Sequence, residues 1–169
     1  AVVKPAPPGE VGIYRQRLSG VRLGTPVQHR GLDVYPLLGG SQEPFYDTLD
    51  SALKKGSLVI EELSRVNEAC VTNKGTRPVL ILDGEQIVGA KQNRVFNSSL
   101  LAPPGKSLIA KVSCVEHGRW SGVSARFEAS GLQLFARARQ ANQAAVGRSM
   151  ASAGAPVSDQ SHIWADVAA

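Results

Sequence analysis

Between Val27 and Ala129 the chain divides into short apolar runs separated by Gly, Pro, Asn and Ser breaks. The runs are "VQHRGLDVYPLL", "SLVIEEL", "NEACVTN", "PVLILDGEQIVGA", "RVFNSSLLA", "SLIAKVSCV" and "VSARFEA". Runs this short and about ten residues apart read as strands of an antiparallel sandwich or barrel. Val27–Leu38 is expected to be one strand, with Leu32 and Val34 on one side and Asp33 on the other. Asp83-Gly84, set between apolar runs, predicts a type I′ hairpin. In the last run Val123, Ala125, Phe127 and Ala129 alternate with Ser124, Arg126 and Glu128, so the first four should point inward.

Two stretches depart from this texture. "YDTLDSALKKGSL" predicts a short helix over about 47–55. Asp47 or Thr48 would cap it, Leu49, Ala52 and Leu53 would form its apolar stripe, and Gly56 would stop it. After Gly131 the Ala-, Arg- and Gln-rich "LQLFARARQANQAAVGRSMASAG" predicts a second helix, with Arg137, Ala141, Ala144 and Arg148 on one face. "GAPVSD" then links to a third, capped by Ser158 or Asp159 and burying Ile163, Trp164 and Val167. The fold class is therefore β-rich α+β: an antiparallel β-sandwich or barrel with one short helix and C-terminal helices. Residues 1–26 form a Pro-rich lead-in and first strand. Residues 27–169 form a single domain, expected to be truncated in its last helix.

Composition narrows the function classes. The hydrophobic share of 43% implies a packed core, and with aromatics at 5% that core rests on Val, Leu, Ile and Ala. A membrane helix needs about 18 consecutive apolar residues, and no such run occurs; a cytoplasmic location is expected. The net charge of +5 is spread out, with no block of like charges. This argues against a nucleic-acid partner but suits an anionic small molecule. Cys70 and Cys114 form neither a CxxC motif nor a disulfide framework. His29, His117 and His162 lack ligand spacing, so neither metal nor other cofactor is expected.

The chemistry-bearing residues concentrate between Asp83 and Trp120. Asp83 reads as a turn residue. Glu85 opens the returning strand, paired with Arg94 or Lys91 or serving as a general base. Lys91, Gln92, Asn93 and Arg94 supply a cation, two amides and a guanidinium, a set that suits a carboxylate, a phosphate or a polar base. The alternative is a hydrogen-bonded rim at a bend near Gly89. In "CVEHGRWS", the C-x4-R spacing is one residue short of a phosphatase loop, and a strand rather than a helix follows. Cys114 is thus expected to be structural rather than nucleophilic. Trp120 either stacks a ring or caps the core.

The runs "GLDVYPLL", "YDTLDSALKKG", "VNEACVTNKGTRPVLILDGEQIVGAKQNRVFNSSLLAPPG", "VSCVEHGRW" and "IWADVA" resemble the ARG and rhodanese-phosphatase-superfamily-associated domain of prokaryotes, over roughly residues 27–169. That domain has no assigned reaction; its name reflects genomic association with ADP-ribosylglycohydrolases and rhodanese-like phosphatases. The resemblance matches Glu85, Lys91, Gln92, Asn93, Arg94, Cys114, Glu116, Arg119 and Trp120 to the motif positions, with His117 outside them. Three readings follow. One is a ligand-binding or sensor module for a nucleotide-like or other anionic molecule, with Arg94 and Arg119 on the anion and Gln92 and Asn93 orienting it. Another is a hydrolase on a phosphate- or ADP-ribose-containing substrate, with Glu85 or Glu116 as general base. The last is an assembly domain that meets a homo-oligomeric or neighbouring partner through its C-terminal helices.

Overall fold

The structure, a computed structural model, describes residues 20–39, 45–116, 118, 121–122 and 124–168. It divides into two compact units after Glu43. In the first, β1 (Arg22–Leu23) pairs antiparallel with β4 (Leu37–Leu38), and β2 (Val27–His29) pairs with β3 (Leu32–Val34). The single strand expected over Val27–Leu38 is therefore a hairpin followed by a separate short strand. Arg30 and Gly31, both with positive φ (48° and 82°), turn it, the backbone that a type I′ turn requires.

The second unit holds β5 (Asp47–Thr48), α1 (Leu49–Lys54), β6 (Leu58–Glu62), β7 (Glu68–Asn73), β8 (Val79–Ile81), β9 (Glu85–Gly89), β10 (Arg94–Phe96), β11 (Leu100–Ala102), β12 (Ser107–Cys114), β13 (Phe127–Gln133), α2 (Ala136–Ala153) and α3 (Gln160–Ala168). Six strands form an antiparallel sheet in the order β13-β9-β10-β12-β7-β6. The sheet curls until its edges meet: Glu61 of β6 bridges Arg126, just before β13, and their side chains approach to 3.4 Å. A smaller sheet, β11-β8-β5, adds one parallel pair, β5 with β8. The β-rich α+β fold is thus as expected.

Alternation along the strands builds the core. Leu58, Ile60, Ala69, Val71, Ile87, Phe96, Ala110, Val112 and Phe127 fill the inside of the curl, together with Leu49 and Ala52 of α1 and Val79, Ile81 and Ala102 of the small sheet. Each large side chain so buried contributes about 1.5–3 kcal/mol. The outer face carries a second cluster, where Val95 and Val115 meet Leu134, Ala138 and Ile163 from the C-terminal segment. Helix α1 is capped by Thr48, whose hydroxyl accepts from the Ser51 N–H, and the chain leaves it at Gly56 with φ of 71°.

Two further expectations are corrected. Asp83-Gly84 does turn the chain, the Glu85 N–H reaching the Leu82 carbonyl, but of the two central residues only Gly84 has positive φ (79°). That is the pattern of a type II turn, which splays its flanking strands. Accordingly β8 joins the small sheet and β9 the curled one. "RVFNSSLLA" likewise splits at Asn97–Ser99 into β10 and β11, in different sheets. On α2 the buried face is Ala138, Asn142 and Val146, offset from the expected one. Of the last strand's expected inward set, Phe127 is buried, Ala129 half-buried and Ala125 exposed, while Val123 lies outside the described residues.

Candidate functional site

Antiparallel pairing gathers Arg94, Cys114 and their neighbours at one end of the curled sheet. The end of β6 (Glu62), the start of β7 (Glu68), the end of β9 (Gly89), the start of β10 (Arg94), the end of β12 (Cys114) and the approach to β13 (Arg126) all meet there. Gly89 is required at this turn. Its φ is 118°, and a Cβ would stand 2.6 Å from the Ser124 hydroxyl and 2.8 Å from the Arg126 carbonyl. Ala90 follows with φ of 48°, its N–H donating to Ser124 Oγ at 3.0 Å.

Arg94 and Cys114 face each other across β10 and β12, pointing into the curl. Arg94 is fully buried (0% exposed). One guanidinium nitrogen donates to Glu62, another to the Glu68 carbonyl at 3.1 Å, and the group lies 5.2 Å from the centre of the Phe127 ring. Its Nε has no partner among the described residues. The expected partners of Glu85 are thereby corrected: Arg94 belongs to Glu62, and the charged groups that act on Glu85 are Asp50 and Arg139. Glu68 in turn accepts from Lys111 and lies 3.7 Å from Arg65, and Lys111 beside it holds its carboxyl below the usual range.

Gln92 sits in the bend between β9 and β10. It is 1% exposed, yet neither its amide oxygen nor its nitrogen has a partner among the described residues. Asn93 is part of the scaffold. Its side-chain oxygen accepts from the Gly89 N–H at 3.0 Å, its N–H donates to Glu116 Oε2 at 2.7 Å, and its carbonyl accepts from the Val115 N–H at 3.0 Å. Glu116 therefore pins the bend to the strand beside it, and with Gln86, Gln133 and Phe135 it lines a shallow cavity of about 230 Å³. Lys91 is exposed. Burial pushes the Cys114 thiol up, against the opposing pull of Arg94, so it is held as a thiol rather than as a nucleophilic thiolate. His117, Arg119 and Trp120 lie outside the described residues.

Glu85 does not join this group. It stands at the opposite end of β9, about 13 Å away by strand rise. There its Oε2 accepts from the Leu82 N–H at 2.7 Å. It lines a cavity of about 320 Å³ with Asp50, Gln86 and Gln133. Burial, aided by Asp50, raises its pKa. Nearby, Asp83 is more than a turn residue. Its carboxylate accepts from Arg139 Nε (3.0 Å) and Nη2 (2.9 Å), Gln143 (2.7 Å) and Ser99 (3.0 Å), and Arg139 above all lowers its pKa to about 2. Sequence reading missed this clamp between α2 and the sheet because nothing local links Asp83 to a helix more than fifty residues later. It also missed Glu62, which shares the inward face of β6 with Leu58 and Ile60 but whose partner no local signal names.

Among the described residues no three His, Cys, Asp or Glu are grouped as a metal ion would need, and no helix is long and apolar enough to cross a membrane. The family model described as "ARG and Rhodanese-Phosphatase-superfamily-associated Protein domain" matches residues 20–169. No curated protein and no solved structure matches the chain.

Proposed function

The chain belongs to the ARG and rhodanese-phosphatase-superfamily-associated protein domain family, and from that premise we propose that its curled sheet is a small-molecule-binding module whose site is the polar end around Gln92. The observation that carries this reading is the Gln92 carboxamide, buried with both polar atoms unpartnered among the described residues. A buried amide without partners costs about 1–3 kcal/mol, and a ligand presenting an acceptor beside a donor would recover it. The edge of a nucleobase does so, as does an amide or lactam. Arg94 Nε offers a further donor, while the rest of its guanidinium is held by Glu62 and the Glu68 carbonyl. Exposed Lys91 suits an anionic portion of the same ligand. Arg119 and Trp120 are proposed to complete the site as an anion partner and a stacking surface. Asn93 and Glu116 act on the ligand indirectly, by fixing the bend that carries Gln92.

The test is a thermal-shift screen of nucleotides and ADP-ribose derivatives against wild type, Gln92→Leu and Lys91→Ala. A ligand present at one hundred times its Kd stabilises by about 2.7 kcal/mol. The expected result is a Tm increase in wild type that vanishes in Gln92→Leu and weakens in Lys91→Ala. A full panel without any shift, or a shift unchanged by Gln92→Leu, would rule this site out.

A second reading, a hydrolase acting on a phosphate- or ADP-ribose-containing substrate, is favoured by a different observation: Glu85, with its raised pKa, lines a cavity beside Asp50. Under this reading Glu85 is the general acid or base. Turnover of an ADP-ribose ester that survives in Gln92→Leu and disappears in Glu85→Gln would establish it in place of the first.

A further inference from the structure

Helices α2 and α3 enclose a cavity of about 200 Å³ on the outer side of the sheet. We propose that it binds a small zwitterion of free-amino-acid size. On α2 the lining residues Ala138, Ala141, Asn142, Ala145 and Arg148 recur at helical spacing, and on α3 so do His162, Ile163 and Asp166. Alanine methyls on one wall leave room between the helices that larger side chains would fill.

The floor of this space is polar and unmatched. Asn142 is 2% exposed, and neither its amide nitrogen nor its oxygen has a partner among the described residues. Ser158 Oγ, also buried and lining the cavity, is unpartnered as well. Two other buried amides are paired within the fold: Asn97 donates to the Pro156 carbonyl and accepts from Ser113 Oγ, and Asn73 donates to the Arg77 and Ala102 carbonyls. An unmet amide and hydroxyl facing one cavity therefore call for an occupant that both donates and accepts.

The rim selects the charge of that occupant. Arg148 and Asp166 both line the cavity, and the side chain of neither makes a hydrogen bond or ion pair among the described residues. Asp159 is engaged, its Oδ1 accepting the N–H groups of Ser161 (3.1 Å) and His162 (3.4 Å) at the start of α3. Those amides are thus unavailable to a bound anion, and a simple anion would also face two carboxylates. A simple cation would face Arg148. A molecule carrying a carboxylate for Arg148 and an ammonium for Asp166 meets both, and its polar atoms reach Asn142 and Ser158. The volume is below the roughly 300–1,000 Å³ of drug-sized pockets and far above the roughly 30 Å³ share of one water.

Titration of the protein with glycine, L-alanine and L-glutamine, followed by backbone amide NMR and calorimetry, tests the proposal, with acetate and methylammonium as single-charge controls. The expected result is saturable shifts at Asn142, Ser158 and His162 with at least one zwitterion and with neither control. Affinity should fall at least tenfold in Arg148→Met and in Asn142→Leu. Should Asn142→Leu fail to fold, Arg148→Met and Asp166→Asn, at less buried positions, carry the same expectation. No saturable shift up to about 100-fold excess, equal binding of a control, or full affinity in the folded variants would mean that the cavity holds water alone.

Discussion

The curled sheet has two polar ends, and they treat a buried amide differently. At one, Asn73 closes β7 with every amide group engaged. Its nitrogen donates to the Arg77 and Ala102 carbonyls at 2.8 and 3.0 Å, and its oxygen accepts from the Gly75 N–H at 2.9 Å. At the other, Gln92 is as deeply buried and has neither group engaged among the described residues. The two amides are equally buried, so burial alone does not separate scaffold from site. The separation lies in whether the fold supplies the partners, since an amide it satisfies is structural and one it leaves unmet is available to a ligand.

The largest effect should come from the charged neighbour of Gln92. Arg94→Met strands Glu62 in a part-buried position and is expected to cost about 3–5 kcal/mol in a denaturant melt. The Arg94→Met/Glu62→Leu double variant should recover most of that loss. A single variant within 1 kcal/mol of wild type would show that this end needs no internal ion pair. Next, Asn73→Ala removes three hydrogen bonds and should destabilise by about 2–4 kcal/mol.

The pH dependence is smaller. Arg139 holds the folded-state pKa of Asp83 down from its ordinary 3.8 to about 2. Its stabilising contribution is therefore complete above about pH 4 and is lost as pH falls toward 2, by about 1–2 kcal/mol once solvent screening is allowed for. Arg139→Met should flatten that part of the stability profile; an unaltered profile would dismiss the clamp. Opposite in sign, Gln92→Leu should not lower the unfolding free energy and should raise it by up to about 1–3 kcal/mol, because it removes an unmet buried amide and no bond the fold makes. A loss comparable to that of Asn73→Ala would end the contrast between the two amides.

Much of the fold was legible because its signals are local. Alternation and break residues placed β6, β7, β12 and the start of β13 (127–129), whose end (132–133) reads as helix. Thr48, Gly56 and Asp159 marked helix ends through their own backbone chemistry. The hairpin at Asp83-Gly84 was misread because the same dipeptide serves two turn types that differ in the φ of Asp83, and long-range sheet pairing rather than the dipeptide selects between them. The candidate site was legible in part. The Lys91–Arg94 run and Glu116 come together, whereas Glu85, adjacent in motif, is carried to the far end by the length of one strand.

What the chain determined by itself is the kind of element each segment becomes and the density of polar side chains between Asp83 and Trp120, since these follow from side-chain period and turn chemistry within a few residues. Only the tertiary structure decided which of those polar groups are paired. Glu62 meets Arg94, Arg139 meets Asp83, and Gln92 and Asn142 meet nothing among the described residues. Hydrogen bonding between groups dozens of residues apart depends on register and sheet order, and those are settled when the whole core packs.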